Sequence, residues 1–137
     1  MKYLILIMIL GTTLTHAADL TVSFTNLKSD KGQIYIAMWD SAQGFPKDYN
    51  QAIETITIAA TQTKVKIENL KNGYYAIAIF HDKNSDQTLN TNAMGIPKEA
   101  FGFSNNSRLL FGPPSFNKAK FKIEGKDLSK NIEFKYF

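Results

Sequence analysis

The sequence predicts an all-β protein, a seven-stranded Greek-key β-sandwich of the immunoglobulin or transthyretin type with one long ordered loop. Seven short segments alternate apolar and polar residues with a period of two, as half-buried strands do. Gly, Asn and Asp residues that favour turns separate these segments. No segment shows the 3.6-residue period of a long helix. Regularly spaced short strands are typical of a sandwich, and the length suits one domain over 18–137.

The strands are predicted, in chain order, at 19–27, 32–40, 52–60, 62–70, 73–82, 117–125 and 131–137. The second and fifth are apolar on both faces, which is typical of central strands covered on two sides. In the second strand Ile34, Ile36 and Met38 share one face, and Tyr35, Ala37 and Trp39 share the other. A sheet with two apolar faces needs a second layer of cover.

Residues 83–115 form the long loop, which is predicted to fold back over one end of the sandwich. Loops of this length in compact domains are usually functional or structured. The composition argues against disorder, because seven large apolar residues in it need burial. These are Met94, Ile96, Phe101, Phe103, Leu109, Leu110 and Phe111.

Residues 1–17 read as a secretory signal peptide. Lys2 supplies the positive start, residues 3–10 are apolar, and Thr15-His16-Ala17 forms a small-residue cleavage site. The apolar run is too short for a membrane-spanning helix. We therefore expect an exported protein, periplasmic or extracellular, whose mature chain does not span the membrane.

The composition excludes several classes of function. The chain has no Cys, so an exported domain of this kind relies on its apolar core alone. The formal net charge is only +4, and the Lys residues alternate with apolar ones, so we expect no nucleic-acid partner. Cleavage would remove His16 and leave His81 as the single His, which excludes most zinc sites.

The stretch Leu70-Lys71-Asn72-Gly73-Tyr74-Tyr75 has the L-x-x-G-x-Y spacing of a tyrosine corner. In this motif the hydroxyl of the Tyr bonds back to a backbone group a few residues upstream. We predict that Tyr75 does so, as a structural feature without a ligand role.

The end of the fifth strand carries an oxygen-bearing side chain at every second position. Such spacing resembles the first half of an EF-hand loop, with metal ligands predicted at Asp82, Asn84, Asp86, Thr88 and Asn90. Gln87 stands where that loop needs Gly, and Ala93 where it needs a bidentate carboxylate; Asn92 or Glu99 can substitute only if the chain folds back. Two interpretations stay open, a weak Ca²⁺ site and a loop of Asx turns.

Two further hypotheses concern the same region. His81, Asp82 and Glu99 could form an acid–base site of a small hydrolase or isomerase, although no G-x-S-x-G element supplies a nucleophile. The alternative is a His at the rim of the sandwich that bonds a loop carbonyl. Phe101 and Phe103 either form an aromatic binding platform or plug the end of the fold. The candidate ligand-binding residues are His81, Glu99, Phe101 and Phe103.

The central block of the sequence resembles a bacterial family of small exported proteins, the domain of unknown function 2141. The likeness rests on Gly73, 75–82, Asn84, Asp86 and 89–92, followed by Gly-Ile-Pro-Lys-Glu at 95–99 and Gly-Phe-Ser-Asn at 102–105. It implies a fold like transthyretin or the carboxypeptidase regulatory domain, and no established activity. Enzymes with related sandwiches use several histidines, which this chain does not offer after cleavage.

The function expected from the sequence is a non-enzymatic binding or accessory module of the cell envelope. Its partner would be a small molecule, a glycan or an envelope protein. The runner-up is the hydrolase or isomerase described above, and the third candidate is a purely structural envelope protein whose loop docks a partner.

Overall fold

The computed structural model describes residues 11, 17–86, 92–94, 98–109 and 111–136. Within these residues the chain forms eight strands, so the predicted all-β class is confirmed with one strand more than expected. The strands are β1 (Ala18–Thr25), β2 (Gln33–Trp39), β3 (Glu54–Ala59), β4 (Lys64–Leu70), β5 (Gly73–Asp82), β6 (Phe101–Phe103), β7 (Phe121–Ile123) and β8 (Leu128–Glu133).

The strands form two sheets. The smaller sheet has the order β4-β1-β8, in which β1 and β8 run parallel and β1 and β4 antiparallel. The larger sheet has the order β3-β2-β5-β6 and is antiparallel throughout, with β7 pairing against the start of β5. The long central strands β2 and β5 therefore sit where the sequence predicted them, inside the larger sheet.

The inner core lies between the two sheets and is mostly aliphatic. Ile34, Ile36 and Met38 of β2 point into it, as the period of two requires. The remaining fully buried members are Ala18, Leu20, Val22, Ile77, Ile123, Ile132 and Phe134. These residues come from both sheets, so the inner core joins the two layers of the sandwich.

A second cluster, the outer aromatic cluster, covers the opposite face of the larger sheet. Its buried members are Ala37, Trp39, Ala78, Phe80, Phe101 and Phe103. The partly buried residues packed against it include Tyr35, Phe45, Tyr49, Leu109 and Phe116. Two loops thus supply the cover, namely the β2–β3 connection and the long loop, which lies over a face of the sheet rather than over one end.

Three local predictions differ from the structure. The long loop contains β6, a strand of three residues that is too short to show a period of two. Phe116–Ala119 forms a helical turn, since the Ser115 hydroxyl caps it by accepting from the Lys118 N–H, and this shortens the predicted sixth strand to β7. The last strand runs over Leu128–Glu133, although Ile132 and Phe134 point inward as expected.

The tyrosine corner is confirmed. The Tyr75 hydroxyl donates to the Lys71 carbonyl oxygen at 2.7 Å. The hydrogen bond fixes the turn between β4 and β5, so β5 starts in a defined direction. At its far end the same strand leads into the polar residues of the candidate site.

The predicted signal peptide lies almost wholly outside the described residues, and its cleavage stays a prediction. The described part of the chain contains no helix with the length and apolar character needed to cross a membrane.

Candidate functional site

The pairing of β5 with β6 brings Asp82 opposite Glu99. The antiparallel register places Phe80 against Phe101, and the His81 N–H donates to the Ala100 carbonyl at 2.8 Å. One further step along the register reaches Asp82 and Glu99. Directly opposed residues of an antiparallel pair have neighbouring side chains. The chain therefore does fold back, which was the condition for Glu99 to complete a metal site.

A tight turn after β5 returns Asp86 to the same place. The Ser85 N–H donates to the Asp82 carbonyl at 3.3 Å, and the Asp86 N–H donates to Asp82 Oδ1 at 3.0 Å. Ser85 adopts a left-handed conformation with φ of 57°. The Asp82 carboxylate thus bonds a local backbone N–H, but four residues on rather than the two of an Asx turn. The Asx-turn bond in this region is made by Asn92 Oδ1, which accepts from the Met94 N–H at 2.9 Å. The turn after β5 brings a second Asp next to the first.

The result is a cluster of three carboxyl groups, on Asp82, Asp86 and Glu99. One oxygen from each lies within 4.8 Å of the others. Asp82 is only 1% exposed, Glu99 is half-buried and Asp86 is exposed. Ionised carboxylates at such distances repel each other, more strongly where burial lowers the local dielectric constant. A cation among them removes this repulsion.

The other predicted metal ligands contribute less. The Asn84 side-chain amide donates to Asp86 Oδ2 at 3.1 Å, so it orients that carboxylate. Thr88 and Asn90 lie outside the described residues, and their role as ligands stays a prediction. Glu99 is the strongest addition that the structure makes to the oxygen set.

Gly32 allows the β1–β2 turn to contact this loop closely. It has φ of +76°, and a Cβ atom at this position would lie 2.3 Å from the Asp82 carbonyl oxygen and 2.6 Å from that of Lys83. Both the backbone conformation and the space therefore require glycine. The sequence had indicated only a turn here, because a close approach between distant segments leaves no local pattern.

His81 is held as a structural residue at the rim of the sandwich. Its side chain is buried on the inner face, and its ring lies 6.4 Å from that of Phe134. Nε2 is 2.5 Å from the Lys31 carbonyl oxygen. Because a carbonyl only accepts, Nε2 carries the proton and donates. This arrangement agrees with the alternative of a His bonded to a loop carbonyl, and it turns the ring away from the acidic cluster's face of β5.

Phe101 and Phe103 lie in the outer aromatic cluster, at 5% and 7% exposure. Their rings are 5.8 Å apart, and Phe103 also packs 6.3 Å from Phe45. Buried in this way, they hold β6 on the sheet and support the alternative that they plug the fold. Their predicted ligand-binding role stays a prediction.

The comparison with known families identifies the chain. The model of a family described as "Uncharacterized protein conserved in bacteria (DUF2141)" matches residues 22–131. The chain belongs to this family. The resemblance drawn from the central block is thereby confirmed, and the matched range includes the three carboxyl groups of the cluster. No curated protein matches the sequence.

Solved structures offer only distant likenesses. Two crystal structures of the pilus-presented adhesin Spy0125 (Cpa) match with TM-scores of 0.36 and 0.34, at 12% and 15% identity, over 89% and 88% of this chain. A cysteine-to-alanine mutant of the adhesin gives 0.35 at 15% identity over 91%. The chain spans 27% or 28% of the length of these adhesin chains. Structural agreement at this level carries no argument about function.

Proposed function

We propose that this protein is an exported β-sandwich module that binds a partner of the cell envelope, and that calcium stabilises its loop at the end of β5. The observation that carries the calcium part is the convergence of carboxylate oxygens from Asp82, Asp86 and Glu99 within 4.8 Å. Asp82 and Asp86 lie at the start of the long loop, and Glu99 lies next to β6. A bound ion would therefore hold the start of the loop against β6.

The chemistry of the cluster favours Ca²⁺ over transition metals. Every candidate donor is an oxygen, and hard cations such as Ca²⁺ prefer carboxylate, amide and carbonyl oxygens. Ca²⁺ also accepts a flexible geometry with six to eight ligands, whereas Mg²⁺ demands a near-ideal octahedron. With three carboxylates and part of the site exposed, we expect weak affinity, with a Kd of about 0.1–1 mM as in extracellular modules.

Calcium-dependent stability tests this proposal. At about 10 mM Ca²⁺ a site of this affinity should raise the free energy of unfolding by roughly 1–3 kcal/mol, by mass action on the native state. The measurement is urea denaturation of the purified chain with calcium and with a chelator. Mg²⁺ at the same concentration should give a smaller shift. Equal stability with calcium and with chelator would contradict the calcium proposal.

A pair of charge-neutralising variants locates the site. Glu99→Gln removes one carboxylate and should abolish most of the calcium shift, because Glu99 supplies one of the three converging carboxylates. Glu68→Gln is the matched control, since Glu68 is an exposed residue of β4 far along the chain from the cluster. The control should keep the full shift. Loss of the shift in both variants would point to a non-specific ionic effect.

We propose export from the sequence of residues 1–17, and the start of β1 supports cleavage after Ala17 rather than after Ala18. Ala18 is fully buried in the inner core and pairs with Leu70. Cleavage after Ala17 keeps this contact, whereas cleavage after Ala18 removes it. We expect mature protein that begins at Ala18. Mass spectrometry of protein recovered from the periplasm or the medium measures this end directly.

The hydrolase or isomerase alternative receives no support from the geometry of the described residues. His81 donates to the Lys31 carbonyl from inside the sandwich. Ser104 is also buried and bonds to backbone groups of β5 and α1 (Phe116–Ala119). Neither the His nor this Ser faces the acidic cluster as a base and nucleophile pair would.

A further inference from the structure

The β3 strand forms an unprotected edge of the larger sheet. Edge strands are usually blunted by charged side chains, by Pro or by a covering segment, because their free backbone groups can pair with another strand. Within β3 the only charged residue is Glu54, at the first position, and the strand contains no Pro. Residues 55–59 are Thr, Ile, Thr, Ile and Ala, a sequence with high β propensity.

The other edges of the described sandwich are protected. Charged residues alternate along β4 as Lys64, Lys66 and Glu68, and β7 is only three residues long with Lys122 at its centre. The opposite sides of the two sheets are joined to each other, because Phe101 of β6 bridges Lys135 just after β8. The Glu133 N–H of β8 also donates to the Asn106 side chain at 2.9 Å. The edge of β3 is thus the place in the described fold where a further strand meets neither charge nor cover.

The register of β3 shows which backbone groups face outward. The Ala60 N–H donates to the Gly32 carbonyl at 3.1 Å, one step beyond the pair Gln33 and Ala59. Bonded and non-bonded pairs alternate in an antiparallel ladder. Ile56 and Ile58 therefore bond to β2, and the backbone groups of Thr55, Thr57 and Ala59 point away from it. The Ala59 carbonyl already accepts from the Gln62 N–H.

The outward backbone groups of one β3 strand can hydrogen-bond to the same groups of a second β3 strand. When two copies of β3 lie antiparallel with Thr57 opposite Thr57, the Thr57 N–H of each copy meets the Thr57 carbonyl of the other. The Ala59 N–H likewise meets the Thr55 carbonyl of the second copy. Every bond in this set uses a group that points away from β2, which is the arrangement of an isologous two-fold interface.

The side chains fit the same register. Ile56 falls beside Ile58 of the second copy, on the face where both already pack partly against the inner core. A close pair of β-branched residues is favourable in such a non-bonded position. Thr57 meets Thr57 on the outer face, and Glu54 falls opposite Ala60, so no like charges oppose each other. We propose that β3 is a self-association edge, through which a second copy of this chain extends the larger sheet.

A charge placed at the two-fold axis tests the proposal. Thr57 is exposed, so Thr57→Lys leaves the monomer intact but sets two positive charges against each other in the dimer. We expect the dissociation constant of the dimer to rise by about tenfold or more. Sedimentation equilibrium of the purified chain from micromolar to millimolar concentration measures it. Gln62→Lys, an exposed position in the β3–β4 turn, is the control of equal charge and should leave association unchanged.

A mixture of two variants with opposite charges tests whether the two-fold axis passes through residue 57. Thr57→Asp alone should also dissociate, whereas an equimolar mixture of the Lys and Asp variants should restore the dimer, because only a two-fold axis at residue 57 brings the two new charges together. Recovery in the mixture also shows that both variants are folded. A wild-type chain that stays monomeric at millimolar concentration overturns the proposal. A dimer that survives Thr57→Lys, or a mixture that stays monomeric, overturns it equally.

Discussion

The two faces of the larger sheet are covered in different ways. The inner face packs against another sheet, and its residues are mostly aliphatic side chains that alternate along regular strands. The outer face packs against two loops, and its residues are mostly aromatic. Trp39 shows the contrast, since its ring contacts Phe45 at 5.2 Å and Tyr49 at 5.8 Å, both from the β2–β3 connection. Aromatic side chains therefore supply much of the packing on this face.

The two faces therefore have different roles: the inner core stabilises the fold, and the outer aromatic cluster positions the long loop. The inner core joins the two sheets, and its contacts follow from the strands themselves. The outer aromatic cluster fixes the long loop, because Phe101 and Phe103 of β6 are two of its members. Since β6 carries Glu99 toward Asp82, loss of outer packing should disturb the acidic cluster, whereas loss of inner packing should lower stability alone.

The largest expected effect is that of Trp39→Ala. Trp39 is fully buried and its indole N–H donates to the Asp48 carbonyl at 3.3 Å. The substitution should lower the free energy of unfolding by about 3–5 kcal/mol. It should also loosen β6, which hydrogen exchange at the His81 amide reports, because that amide donates to Ala100.

The control is Ile36→Ala on the inner face of the same strand, where Ile36 is 1% exposed. It should lower the free energy of unfolding by about 2–5 kcal/mol. The exchange of the His81 amide should increase only by the amount that this loss of global stability accounts for. If the His81 amide exchanges equally fast in the two variants after correction for their global stabilities, the two faces do not differ in how they position β6.

Ser104→Ala should have an intermediate effect. Ser104 is fully buried, where its hydroxyl accepts from the Ile77 N–H at 2.9 Å and donates to the Ala119 carbonyl at 2.6 Å. It thereby ties the end of β6 to β5 and to α1. The substitution leaves those buried groups without this partner and should cost about 1–3 kcal/mol.

Ser107→Ala provides the comparison, since the Ser107 hydroxyl donates to the Lys118 carbonyl at 3.0 Å from a partly exposed position. That variant should stay within about 0.5 kcal/mol of wild type. Thermal unfolding measures both variants. A cost for Ser104→Ala as small as for Ser107→Ala would show that water replaces the hydroxyl.

The effect that is smallest at neutral pH concerns the outer aromatic cluster and appears only at alkaline pH. Burial, and then the neighbouring Tyr35, raise the pKa of Tyr49 from its ordinary 10.0 to about 12. A raised folded-state pKa means that this group's contribution to stability is intact below pH 10.0 and is lost as pH rises through about 12. Tyr49→Phe should therefore match wild type near neutral pH and lose less stability between those values. Parallel losses in the two proteins would contradict the shift; urea denaturation at each pH measures them.

The sequence predicted the inner core well. For the outer aromatic cluster it predicted the strand residues but not the loop residues that cover them. The alternation in β2 and β5 identified both apolar faces, because each strand carries its own period of two. The tyrosine corner was readable because Leu70, Gly73 and Tyr75 lie within one turn. The cover of the outer face was not readable, since Phe45 packs against Phe103 and Phe116, which lie far along the chain from it, and these contacts follow no period.

The candidate site shows the same limit. Asp82, Asn84 and Asp86 were predicted as ligands from their local spacing, and the carboxylates of Asp82 and Asp86 do converge. Glu99 entered the prediction only on the condition that the chain returned to Asp82. Whether it returns depends on the three residues of β6 and on their packing against the outer face, and a strand so short leaves no signal in the sequence.

The register that sets Asp82 opposite Glu99 has a consequence for chain entropy. The two ends of the segment between them are fixed by the strand pairing, by the His81–Ala100 hydrogen bond and by the turn at Ser85. The entropic cost of closing a flexible loop grows only with the logarithm of its length, about 0.6 kcal/mol for each doubling. Foreign sequence inserted between Asp86 and Lys98 should thus lower the free energy of unfolding only slightly. The sandwich could then display an inserted peptide with both of its ends held close together.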